Sequence, residues 1–228
     1  MRIMKKHVYI VNAHPDDLIG SAGLASILAE RPEFQLHVVD FTRGERGLGN
    51  RVTMEECGAM RTKEEFAACA LLGVEPVFLG EIDGESCAPK ETCERLADLF
   101  RKEPPAAVVT HWPVDRHIDH VMCGAATLNA LRFAGMKPEV YFFHETHQTV
   151  AMPFMHYVGF GQRIMDRKVQ LCRAYVCQHG EAMAERKTCE ARFMGWKAGA
   201  PYAEGFGSYR APLSGGHSIF DDLPPVTE

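Results

Sequence analysis

The chain has 228 residues, of which 46% are hydrophobic and 24% are charged, and its formal net charge is −5 at pH 7. This size and composition are those of a globular protein with a full core, so we expect one domain over residues 1–228. The net negative charge, with no run of Lys or Arg longer than a pair, excludes electrostatic binding to nucleic acid or to an anionic membrane as the main role. No stretch approaches the roughly 20 apolar residues of a membrane span. Since the eight cysteines contain no Cys-x-x-Cys pair, we expect reduced thiols and a cytoplasmic location.

A metal-ligating pattern follows the first predicted strand, at about 7–13, in the run Ala13-His14-Pro15-Asp16-Asp17. His14 precedes a proline, which favours extended backbone, and Pro15 suits the first turn of the helix predicted at about 17–30. Asp16 and Asp17 then lie near a helix N-terminus, where the dipole favours ionised carboxylates. Two carboxylates beside an imidazole indicate a bound cation, and a metal-free, Asp-capped helix is the alternative.

The second predicted strand, at about 35–41, is followed by Thr42-Arg43-Gly44-Glu45 and a glycine-rich segment at 44–50. That segment lacks the spacing of a dinucleotide-binding fingerprint, so we interpret it as the rim of a site or a plain surface loop. The next predicted helix, at about 58–72, carries Arg61 among charged residues near its start. An ion pair on a solvated helix face is the default for such a residue.

A second metal-ligating pattern follows a third strand at 74–80, a helix at 90–102 and a fourth strand at 106–111. His117-Ile118-Asp119-His120 opens a helix predicted at about 118–134. If this helix begins at or near His117, the two histidines are spaced i, i+3 and address one point. Together with the first pattern they supply three ligands and an open position, as in a catalytic zinc site. Asp119 suits a hydrogen bond to a ligand imidazole, or a helix cap.

A fifth strand at 139–144 and helices at 164–178 and 182–194 complete the pattern. Strands alternating with helices favour a mostly parallel sheet, so we expect an α/β, Rossmann-like three-layer sandwich. Parallel sheets bind ligands beyond the carboxyl ends of their strands, where the polar candidates of this chain also lie. These candidates are His14, Thr42–Glu45, Glu81–Asp83, His111, His117, His144 and Glu145.

Both patterns together resemble the signatures of the LmbE-like, or PIG-L, family of metal-dependent N-acetylglucosamine deacetylases. Weaker matches are Thr42–Glu45, Arg61 with Leu72–Val74, and Tyr202–Phe206. Leu18 stands where the family usually has an acidic residue, and Ala22 where glycine is frequent. These departures leave the metal ligands untouched and leave the exact substrate open.

The resemblance implies a role for each matching residue. His14, Asp17 and His120 would bind the metal, taken as Zn2+ with Fe2+ as an alternative. Asp16 would be the general base, and a protonated His117 would stabilise the negative charge on the reacting carbonyl. Two further residues, Arg61 and Glu45, would contact the substrate.

We therefore expect hydrolysis of the N-acetyl group of a small N-acetylglucosamine conjugate, giving acetate and a free amine. Three alternatives stay open. One is an amidase that cleaves a larger acyl group from an amino sugar or thiol conjugate, and another is a non-haem iron enzyme, since two histidines and a carboxylate also form its ligand set. The third is a non-catalytic sugar-binding module. The partner expected is a small amino sugar, with no nucleic acid or membrane, and a homo-oligomer is compatible with the sequence.

Overall fold

Seven strands and six α-helices alternate along the part of the chain that the computed structural model describes, residues 5–145, 147–209, 218–220 and 223. The strands are β1 (Lys6–Asn12), β2 (Phe34–Asp40), β3 (Pro76–Phe78), β4 (Pro105–His111), β5 (Glu139–Phe143), β6 (His156–Phe160) and β7 (Tyr202–Ser208). The helices are α1 (Ala22–Ala29), α2 (Met54–Leu72), α3 (Lys90–Lys102), α4 (Ile118–Ala134), α5 (Gln162–Ala174) and α6 (Gly180–Ala198). The single domain predicted over 1–228 includes the remaining residues, which lie outside the described part.

The strands form one mixed sheet in the order β3-β2-β1-β4-β5-β7-β6. Strands β1 to β5 pair in parallel, whereas β7 pairs antiparallel with both β5 and β6. The predicted α/β fold with a mostly parallel sheet is therefore confirmed. The last two strands were not predicted, because both contain glycine, which weakens a strand pattern.

Helices cover both faces of the sheet. Alternate residues of a strand face opposite sides, so Val8 and Ile10 belong to one buried cluster while Tyr9 and Val11 belong to the other. The first cluster also takes side chains from α1, α2, α5 and α6, and the second takes them from α3 and α4. This is the predicted three-layer sandwich.

Two helix starts differ from the prediction. Helix α2 begins four residues early, because Thr53 forms a capping box with Glu56: the Thr53 hydroxyl accepts from Glu56 N at 3.2 Å, and the Glu56 carboxylate accepts from Thr53 N at 2.9 Å. The segment predicted as one helix at 17–30 is a 3₁₀-helix, Pro15–Ser21, followed by α1. The later helices differ at their ends. The helix predicted at 164–178 is α5 followed by a 3₁₀ turn, and α6 begins two residues before and ends four residues after the predicted 182–194.

None of the described helices is long and apolar enough to cross a bilayer. All eight cysteines lie in described residues as free thiols, five of them buried. The carboxyl ends of β1 and β4 are neighbours at the centre of the sheet, so the segments that follow them face each other.

Candidate functional site

A polar cavity of about 400 Å³ opens beyond the carboxyl ends of β1 and β4. The segments after the two strands are joined directly, since Ala13 N donates a hydrogen bond to His111 Nε2 at 3.0 Å. The cavity is lined by His14, Asp16, Asp17, Arg46, Gly47, Arg61, Asp83, Gly84, His117, His120, Gln148 and Gln178. Both sequence patterns therefore meet in one cavity.

His14 turns one ring nitrogen toward Asp17 and the other toward Asp119. Its backbone is extended (φ −132°, ψ 159°), as expected before Pro15, and His14 N donates to Asp17 Oδ2 at 2.7 Å. The ring nitrogen Nδ1 lies 3.2 Å from the same oxygen, and Nε2 lies 3.0 Å from Asp119 Oδ2. If Nε2 carries the proton toward Asp119, the lone pair of Nδ1 faces the cavity beside Asp17, which is the usual orientation of a metal-binding histidine.

Asp119 is fully buried and accepts hydrogen bonds from backbone amides as well as contacting His14. It accepts hydrogen bonds from Gly84 N at 2.6 Å and Ser86 N at 3.2 Å. Burial raises the pKa of Asp119, but the hydrogen bonds from His14 and Gly84 outweigh it and lower the pKa overall. The carboxylate thus links the first pattern to the loop after β3.

His120 lies between two carboxylates. Its Nε2 is 3.4 Å from Asp17 Oδ1 and its Nδ1 is 3.2 Å from Asp115 Oδ1. Neither nitrogen makes a hydrogen bond of acceptable geometry, although the residue is 1% exposed. A metal ion would satisfy such a buried imidazole. Two imidazoles and a carboxylate, from His14, His120 and Asp17, are a donor set that suits zinc.

The charges at this donor set are arranged for cation binding. Burial raises the pKa of Asp17, but the positive charge of His120 and the adjacent His111 imidazole outweigh it and hold the pKa well below its usual value. Burial lowers the pKa of His120, yet Asp17 and Asp115 raise it to about 10. A metal ligand must offer a free lone pair, so metal binding at this donor set would compete with protons.

His111, which the sequence placed at this edge without a role, holds the two strand ends together. Donor atoms of Asp17, His111 and His120 lie within 4.8 Å of one another. However, the His111 Nε2 lone pair already accepts from Ala13 N. Burial, together with the charge of His120, lowers the pKa of His111 to about 4, so the ring is neutral. We therefore interpret His111 as a positioning residue and not as a ligand.

Asp16 is held by Arg61. Arg61 is 4% exposed; its Nη2 donates to Asp16 Oδ1 and its Nη1 donates to Gly44 O at 3.2 Å. Both side chains line the cavity, so the predicted substrate contact of Arg61 is available at the same position. Gly44 has φ of +66°, and a Cβ there or at Gly47 would overlap Arg61 Nη1. The glycine-rich segment thus makes room for the arginine.

His117 is not the first residue of α4 but its N-cap, with φ of −93° and ψ of 121°. The i, i+3 helical geometry on which its prediction rested is therefore absent, yet its ring still lies 4.6 Å from that of His14 and 4.9 Å from that of His120. His117 Nδ1 accepts from Asp119 N at 3.3 Å, which leaves Nε2 as the proton-bearing nitrogen. Burial, with the charge of His14, lowers the pKa of His117, which opposes the protonated form that was expected.

Glu45 lies behind the cavity wall. Its Oε2 accepts from Asp83 N at 3.3 Å and its Oε1 lies 3.4 Å from Arg43 Nε. It is not among the cavity-lining residues, because the backbone after β3 and the Arg43 side chain take up its carboxylate. Glu45 thus supports the loop after β3, and its contact with a substrate stays a prediction.

Three contributors to the site were missed. Asp115 Oδ1 accepts from His117 N at 2.8 Å and its Oδ2 accepts from Thr149 Oγ1 at 3.0 Å, so this carboxylate fixes the start of α4 beside His120. Arg46 N donates to Asp83 Oδ2 at 2.9 Å and its Nη1 to Asp83 O at 2.6 Å. The position of Asp115 two residues before His117, suited to an Asx turn, was a signal in the sequence; nothing there indicated the fold of the loops that bring Arg46 and Thr149 in.

Comparisons with known proteins identify relatives over the same region. A family model described as PIG-L: GlcNAc-PI de-N-acetylase matches residues 9–131. The 4-oxalmesaconate hydratase of Pseudomonas putida KT2440 is 33% identical over 117 residues, which are 49% of this chain and 45% of that protein. The chain thus matches less than half the length of this curated relative.

Two solved structures share the fold. The crystal structure of the 4-carboxy-2-hydroxymuconate hydratase from Pseudomonas putida KT2440 has a TM-score of 0.80 and 24% identity, covering 93% of this chain and 100% of that one. That of N,N'-diacetylchitobiose deacetylase from Pyrococcus horikoshii has a TM-score of 0.78 and 23% identity, covering 92% and 88%. Proteins of this fold thus include a hydratase and a deacetylase.

Proposed function

This chain belongs to the PIG-L family, whose model matches more than half of it, and we propose that it is a metal-dependent hydrolase that removes the N-acetyl group from a small N-acetylglucosamine conjugate. One observation carries the proposal: Asp16 lines the same cavity as His14, Asp17 and His120 but is held by Arg61 instead of by the ligand set. Neighbouring carboxylates can therefore take different roles, one as a ligand and one in proton transfer. A cytoplasmic location and a single domain belong to the same proposal.

His14, Asp17 and His120 would hold the metal, which we take to be Zn2+. When bound, a divalent cation at such a site acts as a Lewis acid and lowers the pKa of water toward about 7. Asp16 takes the proton of the attacking water and returns it to the departing amine, so that acetate and a free amine leave. Arg61 fixes the orientation of the Asp16 carboxylate throughout.

His117 would act as a neutral hydrogen-bond donor. Since its Nδ1 accepts from Asp119 N, the proton is on Nε2. The ring packs edge-on against His14 at the cavity wall, where a reacting carbonyl would lie. A neutral imidazole donates one hydrogen bond to the developing oxyanion, and this role does not need the protonated form.

The polar lining of the cavity suits a sugar. The amides of Gln148 and Gln178 line it and match sugar hydroxyls, which both donate and accept hydrogen bonds. The guanidiniums of Arg46 and Arg61 add further donors at the same wall. An N-acetylated amino sugar matches this lining.

A second candidate function is hydration of a carbon–carbon double bond, which is favoured by the 33% identity to 4-oxalmesaconate hydratase. The same base would take a proton from the water that adds to one carbon, and the proton would pass to the neighbouring carbon. No group leaves in that reaction. The two amides in the cavity lining, which suit the hydroxyls of a sugar, favour the N-acetylated amino sugar as the first candidate.

The test uses zinc-loaded protein and separates the two reactions by their products. We expect acetate and free amine from at least one member of a panel of N-acetylglucosamine derivatives, and no loss of 4-oxalmesaconate. Hydration of that compound without acetate release from any sugar would establish the second function instead. Release of a larger acyl group from N-acyl amino sugars, without acetate, would establish the amidase alternative.

Variants then separate the two aspartates. Asp16→Asn should lose on the order of a hundredfold or more in kcat while it keeps its metal, since a general base has gone. Asp17→Ala and His120→Ala should instead lower the zinc content. Glu85→Gln is a matched control, because Glu85 is an exposed carboxylate that pairs with Arg46 outside the donor set. Equal metal loss from the Asp16 and Asp17 variants would contradict the assignment.

A further inference from the structure

A second group of metal-ligating side chains lies at the opposite end of β1. His7 is near the start of β1, His37 is on β2, and Glu103 follows the end of α3. One donor atom from each lies within 4.8 Å of the other two. A strand rises about 3.3 Å per residue, so this group is roughly 20 Å from His14. It is therefore separate from the cavity and has no part in the proposed reaction.

The two histidines already face each other. In the β1–β2 register Tyr9 pairs with His37, and His7 is on the same face as Tyr9, two residues earlier. The His7 Nδ1 to His37 Nε2 distance is 2.9 Å. Two imidazole nitrogens bound to one tetrahedral zinc at about 2.0–2.1 Å lie about 3.3–3.4 Å apart. A cation between these rings thus requires the two nitrogens to separate by about 0.4 Å and at least one ring to turn, so that both lone pairs converge on the ion.

The surroundings hold the His37 ring in place for this role. The ring stacks on Tyr9, with centroids 4.3 Å apart and planes at 15°. Tyr9 in turn is fixed by hydrogen bonds from its hydroxyl to Leu99 O at 3.1 Å and Glu103 O at 3.0 Å. Little side-chain entropy is therefore lost when His37 binds a ligand.

Glu103 lies on the far side of His37. Its Oε2 is 3.7 Å from His37 Nδ1, the nitrogen that does not face His7. At 3.7 Å the carboxylate does not hydrogen-bond to the ring, but its charge favours the proton on Nδ1 and leaves the Nε2 lone pair directed at His7. Burial lowers the pKa of His37, which keeps the ring neutral. The carboxyl end of α3 adds the negative end of a helix dipole.

We infer that His7 and His37 bind a borderline divalent cation such as Zn2+, with Glu103 orienting His37 and water completing the coordination. Binding changes the tautomer of His7: the hydrogen between the two rings leaves His7 Nδ1 and a hydrogen is taken up at His7 Nε2, so both facing nitrogens offer lone pairs and no net proton is lost. The ion would join β1, β2 and the end of α3, and so stabilise this edge of the sheet. Copper and nickel, which also favour imidazole, are competing occupants.

The experiment counts zinc on the full-length, metal-stripped protein by calorimetric titration and elemental analysis. Wild type should bind about two ions per chain, one at each site. His37→Phe keeps the aromatic stack on Tyr9 but has no nitrogen, and it should bind one. Asp17→Ala should lose the ion at the cavity and keep this one. His179→Asn, at an exposed histidine outside both groups, is the matched control and should bind two.

A spectroscopic measurement keeps the inference testable if one variant folds poorly. Cu2+ added to protein that carries both His14→Ala and His120→Ala, and so lacks the imidazoles of the cavity donor set, should show electron paramagnetic resonance coupling to two imidazole nitrogens, and His7→Gln should reduce this to one. Glu103→Gln should weaken binding without abolishing it, by about 10–100-fold for loss of the orienting carboxylate. Unchanged zinc stoichiometry in both His37→Phe and His7→Gln, or nitrogen coupling unaffected by them, would overturn the inference. Activity should stay within twofold of wild type in either variant.

Discussion

Replacing Lys168 by Met should destabilise the protein far more than removing a surface cation. Lys168 and Glu204 form an ion pair and are 2% and 5% exposed. Glu204 accepts hydrogen bonds from Gly23 N at 2.7 Å and Leu24 N at 2.8 Å, the first free amides of α1. Lys168 Nζ also donates to Ile19 O at 2.9 Å. The pair thus fixes the turn between the 3₁₀-helix that contains Asp16 and Asp17 and the helix that follows it.

The magnitude of the destabilisation follows from the burial of the ion pair. Breaking one partner of a buried ion pair costs about 3–5 kcal/mol, because the other charge is left without compensation. For a chain of this size 1 kcal/mol corresponds to about 2–4 °C, so Tm should fall by roughly 6–20 °C. The pair of Arg163 with Glu30 is a matched surface control, since Arg163 is 54% exposed and Glu30 is 29% exposed. Arg163→Met should cost at most about 1 kcal/mol.

The assay is differential scanning calorimetry and urea unfolding of the zinc-saturated proteins. Lys168→Met, Arg163→Met and wild type are compared at equal zinc concentration, because metal binding itself raises Tm. The double variant Lys168→Met with Glu204→Gln should recover part of the loss, since no buried charge then remains unpaired and the Gln carbonyl can still accept from an amide of α1. A Lys168→Met shift no larger than that of Arg163→Met would refute the reasoning, because the buried pair would then contribute no more than a solvated one.

Three other residues give further tests. Gly44→Ala should lower both Tm and kcat, because a Cβ there meets the guanidinium of Arg61. Gly49→Ala is the control: its φ is +58° but nothing lies within 4 Å of a Cβ, so it should cost only the backbone strain of about 1–2 kcal/mol. Similar losses of Tm and kcat in both variants would contradict this. Asp115→Asn should weaken zinc binding by about 10–100-fold in a chelator competition, and unchanged affinity would remove its orienting role. Burial raises the pKa of Glu145 from 4.5 to about 7, so its stabilising contribution is full below pH 4.5 and is lost as pH rises through 7. Glu145→Gln should therefore flatten the fall of Tm between about pH 5 and pH 8, and an unchanged slope would exclude Glu145 as its source.

The elements that the sequence predicted are those with strong local signals. The apolar run Val8–Val11 and the regular spacing of apolar residues in α3 and α4 are visible in the local sequence. The bounds of β1, β4, α3 and α4 therefore agree with the prediction to within a residue or two. Strands β6 and β7 depend instead on pairing with each other across the intervening helices. Such pairing is a tertiary effect that overrides weak local preference.

The residues of the site also divide into those that the local sequence predicts and those whose contacts depend on the tertiary fold. The proximity of His14, Asp17 and His120 followed from their place after strands of a parallel sheet, and the cavity gathers them there. The partners of Arg61 and Glu45 could not be predicted, because they depend on how the loops after β2 and β3 fold over each other. Even the tautomer of His117 depends on one backbone amide, that of Asp119, whose direction is set by the first turn of α4.

The adjacency of β1 and β4 also determines when a growing chain can acquire its metal. The hydrogen bond from Ala13 to His111 joins residues 98 positions apart, and His120 follows later still. At a synthesis rate of about 5–20 residues per second, His14 and Asp17 would wait roughly 5–20 s before the remaining ligand is made. The ribosome-bound amino-terminal segment therefore holds only part of the donor set, and we expect metal loading to follow the pairing of these two strands.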